Sequence, residues 1–101
     1  MVKHIVMFKF LDFASGRTKK ENASIAAQML IDLQGKIPEL KASEVRLNAE
    51  CADNTNYDLV LIADYDSWED LQAYIVHPLH KAVGEFIKGV SESRSCVDYE
   101  Y

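Results

Sequence analysis

Two of the chain's three histidines lie in one run, His77-Pro78-Leu79-His80, and Tyr74 comes three residues before it. These residue types suit proton transfer. An imidazole titrates at about pH 6.5, a strength suited to taking a proton from a carbon beside a carbonyl at neutral pH. A phenol can donate to the oxygen that gains charge as that carbanion forms. The third histidine, His4, is distant in sequence and sits in an apolar stretch. Brought to the same place, it would bind that oxygen or hold a water. Pro78 shapes the local geometry: it has no N–H, disrupts a helix interior and suits a first helical turn. One helix is therefore expected to end near Val76 and another to open at Pro78, setting Tyr74 and His80 on either side of a bend.

Each residue also has a structural reading. His80 can be a half-buried histidine with its hydrogen bonds met, Tyr74 a core residue with its hydroxyl at the rim, and His4 a core histidine bonded to a facing helix. His77 is expected to be structural, near the cap before Pro78. Zinc would need the three histidines to converge, and their spacing matches no metal motif. No metal and no other cofactor is expected.

Hydrophobic periodicity outlines the elements that must position these groups. Val2 to Phe10 is apolar at nearly every position. Val2, His4, Val6, Phe8 and Phe10 share one face and Lys3, Ile5, Met7 and Lys9 the other, a strand buried on both sides in its middle. Asp12 to Thr18 is expected to be a loop. Lys19 to Lys36 carries Ala23, Ala26, Ala27, Leu30, Leu33 and Ile37 at helical spacing, closed by Gly35 and Pro38. Ser43 to Glu50 alternates, with Val45, Leu47 and Ala49 inward. Tyr57 to Tyr65 is a second strand apolar on both faces. Ser67 opens a helix, with Asp70 approximating a capping box. Pro78 to about Val90 presents Leu79, Val83, Phe86, Ile87 and Val90. Ser93 to Tyr101 alternates Val97, Tyr99 and Tyr101 against Arg94, Cys96, Asp98 and Glu100. Trp68 reads as a packing residue, and the five tyrosines as rim residues at element ends.

With 101 residues, 49% hydrophobic and 27% charged, the chain reads as a single domain over residues 1–101. A net charge of −5 argues against nucleic acid and against an anionic membrane surface. No apolar run reaches the ~18 residues of a membrane span. Lys3, His4 and Lys9 interrupt the apolar start, so no secretion signal is expected. Cys51 and Cys96 form no CxxC pair and are expected to be reduced thiols in the cytoplasm.

The order strand, helix, strand, strand, helix, strand is the split βαβ, ferredoxin-like α+β pattern. Right-handed crossovers put the first and third strands in the middle of a four-stranded antiparallel sheet. Both helices then cover one face. Ile5, Met7, Val60 and Ile62 on the other face need a cover, and a second copy of the chain supplies it, giving a homodimeric α+β barrel.

The chain resembles the stress-responsive A/B barrel (Dabb) family. The carriers are Val2-Lys3-His4-Ile5-Val6-Met7-Phe8-Lys9-Phe10, Ile37-Pro38, Tyr74-Ile75-Val76-His77-Pro78-Leu79-His80 and Cys96-Val97-Asp98-Tyr99. The resemblance runs end to end and implies a dimeric ferredoxin-like barrel. The family is functionally mixed. One plant member is a polyketide cyclase, which performs an aldol condensation in a pocket between helices and sheet. Its catalytic histidine, tyrosine and HPxH histidine correspond to His4, Tyr74 and His80. The lining departs: Ala26 and Ala27 stand where the cyclase has bulky aromatics, and Ser91 near where it has tryptophan. Two readings follow. One is a homodimeric module holding a small apolar ligand against Val6, Phe8, Ala26, Ala27 and Leu30. The other is a cyclase-like lyase, with His80 as general base, Tyr74 and His4 assisting, and a polyketide-like substrate.

Overall fold

The computed structural model describes Met1–Tyr101. Along the chain run β1 (Val2–Phe10), β2 (Phe13–Ala14), β3 (Arg17–Thr18), α1 (Lys19–Ile31), β4 (Ala42–Leu47), β5 (Leu59–Tyr65), α2 (Trp68–Val76), α3 (Pro78–Val90) and β6 (Ser91–Glu100). Four strands form one antiparallel sheet in the order β4-β5-β1-β6. The two strands that are apolar on both faces are central, and the two alternating strands are at the edges. This is the ferredoxin-like α+β fold that the element order implies.

Strand alternation separates the two faces. Val2, His4, Val6 and Phe10 of β1 are buried together with Leu59, Leu61, Ala63 and Tyr65 of β5. All of these but His4 join the helix residues Ala23, Ala26, Ala27, Leu30, Val83, Ile87 and Val90 in one core. The opposite face carries Ile5 beside Ile62 and Val97, and Met7 beside Val60. On it Met7 is 38% exposed, Tyr99 41% and Val97 62%. No helix is long and apolar enough to cross a membrane.

Local chemistry explains where elements start and stop. Thr18 caps α1 in a full capping box with Glu21, a Thr-x-x-Glu signal absent from the reading above. The expected loop before it contains the β2–β3 hairpin. Its turn residues, Ser15 (φ 54) and Gly16 (φ 75), both lie in the left-handed region, as a two-residue hairpin favours. Helix α1 ends at Ile31, short of Lys36, because the backbone tightens: Leu33 N–H bonds the Leu30 carbonyl and Gln34 N–H that of Ile31. Leu33 and Ile37 remain buried, so the apolar spacing outlasts the helix. Strand β4 stops at Leu47, leaving Val45 half-buried and Leu47 and Ala49 exposed, where all three were expected inward. Ser67 accepts the Asp70 N–H at 3.1 Å to start α2. Trp68 is 44% exposed, and its indole N–H donates to Glu100 at 2.6 Å.

The bend at Pro78 forms as expected. His77 is extended (φ −63, ψ 135), its N–H bonds the Tyr74 carbonyl, and its Nδ1 accepts from the Leu79 N–H at 3.1 Å. Pro78 occupies the first turn of α3. Cys51 is exposed and Cys96 half-buried, and both are free thiols.

Candidate functional site

A cavity of about 550 Å³ lies between the inner face of the sheet and α3. His4, Val6 and Phe8 reach it from β1, Leu61 from β5, Leu30 from α1 and Ile75 from α2. Helix α3 contributes His80, Val83, Gly84, Ile87 and Lys88, and the segment from Ser91 to Arg94 with Asp98 forms the far edge. The floor is apolar and the edge toward β6 is polar.

Of the residues singled out from sequence, His4, His80, Val6, Phe8 and Leu30 line this cavity. Ala26 and Ala27 do not. They are 0% and 9% exposed within the core, and Leu30 is the α1 residue that reaches the cavity wall. Tyr74 is also off the wall. It is 1% exposed and stacks behind His80, with ring centroids 4.4 Å apart.

The His80 Nδ1 lies 3.0 Å from the Ile75 carbonyl oxygen. A carbonyl only accepts, so Nδ1 carries the hydrogen and Nε2 of the neutral ring is left as an acceptor. Burial lowers the pKa of His80, an effect partly offset by the Ile75 bond; repulsion from the neighbouring His4, Arg94 and His77 side chains lowers it further. The ring is therefore neutral at pH 7, as a proton acceptor must be. Burial raises the Tyr74 phenol to about 12, which keeps it protonated.

His4 is 5% exposed and pairs with Asp98 across the β1–β6 ladder. Its Nδ1 is 2.5 Å from Asp98 Oδ1, so the bond runs to the neighbouring edge strand and not to a facing helix. Cys96 completes the cluster, with Sγ 3.5 Å from both His4 Nδ1 and Asp98 Oδ1. Burial and the Asp98 carboxylate raise the Cys96 thiol pKa, while Arg94 opposes them.

Tyr65 was expected at a rim and is instead 0% exposed, its hydroxyl buried with no hydrogen-bond partner. Its ring lies 5.2 Å from Tyr74 and 6.5 Å from His4, so it connects the two. The signal was present: Tyr65 continues the face of Leu59, Leu61 and Ala63. Asp98, Cys96 and Arg94 were read only as the polar side of an edge strand. That polar side faces the helices, because His4 pairs with Asp98, Val6 with Cys96 and Phe8 with Arg94.

Solved structures share this architecture. A dimeric protein of unknown function with a ferredoxin-like fold from Bacteroides fragilis is 32% identical, with a TM-score of 0.79, 99% of this chain and 95% of that one being covered. A dimeric ferredoxin-like protein of unknown function from Thermobifida fusca is 27% identical, with a TM-score of 0.83 and coverage of 99% and 90%. A hydroxynitrile lyase from Passiflora edulis shares the fold at 15% identity, with a TM-score of 0.79 and coverage of 97% and 90%. No curated protein matches the chain. The family model described as the stress-responsive A/B barrel domain matches residues 2–101, and the chain belongs to that family.

Proposed function

For this member of the stress-responsive A/B barrel family we propose a homodimeric protein that binds a small, largely apolar molecule with an oxygen-bearing polar end. The observation that carries this reading is the cavity of about 550 Å³, apolar at Val6, Phe8, Leu30 and Leu61 and polar at His4, His80, Arg94 and Asp98. Its size falls in the usual small-molecule range of roughly 300–1,000 Å³, and few convergent polar groups in an apolar wall is the usual form of such a site. The homodimer is supported by the uncovered apolar sheet face and by relatives described as dimeric. The proposal includes a cytoplasmic location, for which the two free cysteines are the support.

Native mass spectrometry of protein purified without added ligand tests the reading. The expected spectrum shows a dimer carrying a retained small molecule, or a dimer that takes up a medium-chain ketone or carboxylic acid. Gly84 lines the cavity and a Cβ there meets nothing within 4 Å, so Gly84→Leu should fill the space and abolish uptake. Uptake unchanged in Gly84→Leu would show that the cavity is not the site.

One observation favours a second reading, a cyclase-like lyase. The Ile75 bond fixes the His80 tautomer that leaves Nε2 able to take a proton, and Tyr74 is held protonated behind it. In this reading His80 is the general base, with Tyr74 packed behind its ring and His4 at the polar end of the cavity. His80→Ala should then abolish turnover with little change in the thermal midpoint. A loss of stability of about 1–3 kcal/mol with no activity to lose would mark His80 as a packing residue.

A further inference from the structure

We propose that His4, Cys96 and Asp98 form a site for a divalent transition metal ion of the zinc type, with a fourth coordination position open to the cavity. The ladder builds the site. His4 sits opposite Asp98 and Val6 opposite Cys96, so the three side chains share the helix-side face. One donor atom from each lies within 4.8 Å of the others. The histidine is buried and its neighbours lie on an edge strand, so one ligand is fixed while the other two can adjust.

The distances suit tetrahedral coordination. With metal–sulfur bonds of about 2.3 Å and metal–nitrogen or metal–oxygen bonds of about 2.0–2.1 Å, the sulfur–nitrogen and sulfur–oxygen edges of a tetrahedron are about 3.5 Å. Cys96 Sγ lies 3.5 Å from His4 Nδ1 and 3.5 Å from Asp98 Oδ1. The third edge, between His4 Nδ1 and Asp98 Oδ1, is 2.5 Å because a hydrogen occupies it. An ion takes the place of that hydrogen, and the edge opens by somewhat less than ~1 Å to the tetrahedral value. Asp98, whose side chain is 33% exposed, is free to make that movement.

Cys96 binds as thiolate and releases one proton per ion. A neutral His4 ring keeps its hydrogen, which moves from Nδ1 to Nε2 so that Nδ1 can donate its lone pair. Thiolate and carboxylate together cancel the two positive charges of the ion. Arg94 stands on the same face and favours the thiolate while repelling a bare dication. The site therefore suits an ion neutralised by its own ligands, and mixed nitrogen, sulfur and oxygen donors favour zinc or cobalt over magnesium or calcium. His4 and Asp98 both line the cavity, so the open position faces the space where a ligand oxygen or a water would sit. Cobalt binding to the chain without a cavity ligand is read from its own spectrum, so its failure is distinguishable from failure of the proposed ligand binding.

Titration of the full chain with cobalt(II) under reducing, anaerobic conditions tests the site. The expected result is one ion per chain, a thiolate-to-cobalt charge-transfer band in the near ultraviolet, and loss of that band on adding zinc(II). Cys96→Ser should abolish the band and Cys51→Ser should leave it intact. Asp98→Asn should weaken binding by more than about tenfold, the least expected even from losing a group that only orients a ligand. No band in the wild-type chain, or a band that survives Cys96→Ser, overturns the proposal. If Cys96→Ser does not fold, Asp98→Asn at its exposed edge position decides: unchanged cobalt affinity overturns the site, and weakened affinity with native circular dichroism upholds it.

Discussion

A glutamate at position 62 should split the proposed dimer, and the sheet register makes position 62 the informative choice. Val60 faces Met7 on one side and Arg46 on the other, so a glutamate there would find a cation across the ladder. Ile62 faces Ile5 and Glu44, so a glutamate there finds an apolar neighbour and a like charge. An uncompensated charge in a dry interface costs about 3–5 kcal/mol. Two-fold symmetry places the substitution in both copies. Taking about 3 kcal/mol per copy, the dimer loses about 6 kcal/mol, roughly four powers of ten in dissociation constant. Ile62 is only half-buried in the single chain, so the fold itself should survive, which circular dichroism checks. Sedimentation velocity over a concentration series should show wild-type dimer and Ile62→Glu monomer at micromolar protein. Ile31→Glu, on the helical side and 47% exposed, should remain dimeric. Dissociation of Ile31→Glu with Ile62→Glu still dimeric would refute the assignment of this face.

Gly84→Ala should stabilise the protein by about 0.5–1 kcal/mol in urea melts, because a helical glycine is replaced where a Cβ meets nothing; a loss of stability would mean that the cavity wall is tighter than described. Burial holds the folded-state pKa of His80 below its usual 6.5, so the unfolded chain binds the proton first as pH falls. Stability should therefore decline as pH drops below 6.5 and level off below the folded-state pKa, and His80→Gln should flatten that limb; an unchanged limb would assign it to another group. Thiol counting on denatured, unreduced protein protected from air should find both Cys51 and Cys96 free, and a count of zero would contradict a reducing location.

The legible parts of this fold are those where one local rule has one outcome. A strand apolar on both faces must be central, which placed β1 and β5. Proline after a capping residue must open a helix, and α3 runs from Pro78 to Val90 as expected. The misplaced boundary has a physical source. Apolar spacing at Leu33 and Ile37 continues past Ile31 because a tighter turn keeps the same side chains on the core, so periodicity reports burial and not the bond pattern.

The site was half legible for a related reason. Residue type and the bend at Pro78 are enough to mark His4, Tyr74 and His80 as candidates. Asp98, Cys96 and Arg94 are not reachable in that way. Alternation divides β6 into two faces without saying which faces the helices, and a slip of one residue exchanges them. In a sheet with one solvated face the apolar side, Val97 and Tyr99, would turn toward the helices. Here Ile5 pairs with Val97, which carries the apolar patch onto the uncovered face, and His4 pairs with Asp98, which carries the polar side into the cavity. The uncovered apolar face and the polar cavity edge are thus two consequences of one register. A protein with this strand facing the other way would place Val97 and Tyr99 against the helices and leave His4 without its carboxylate.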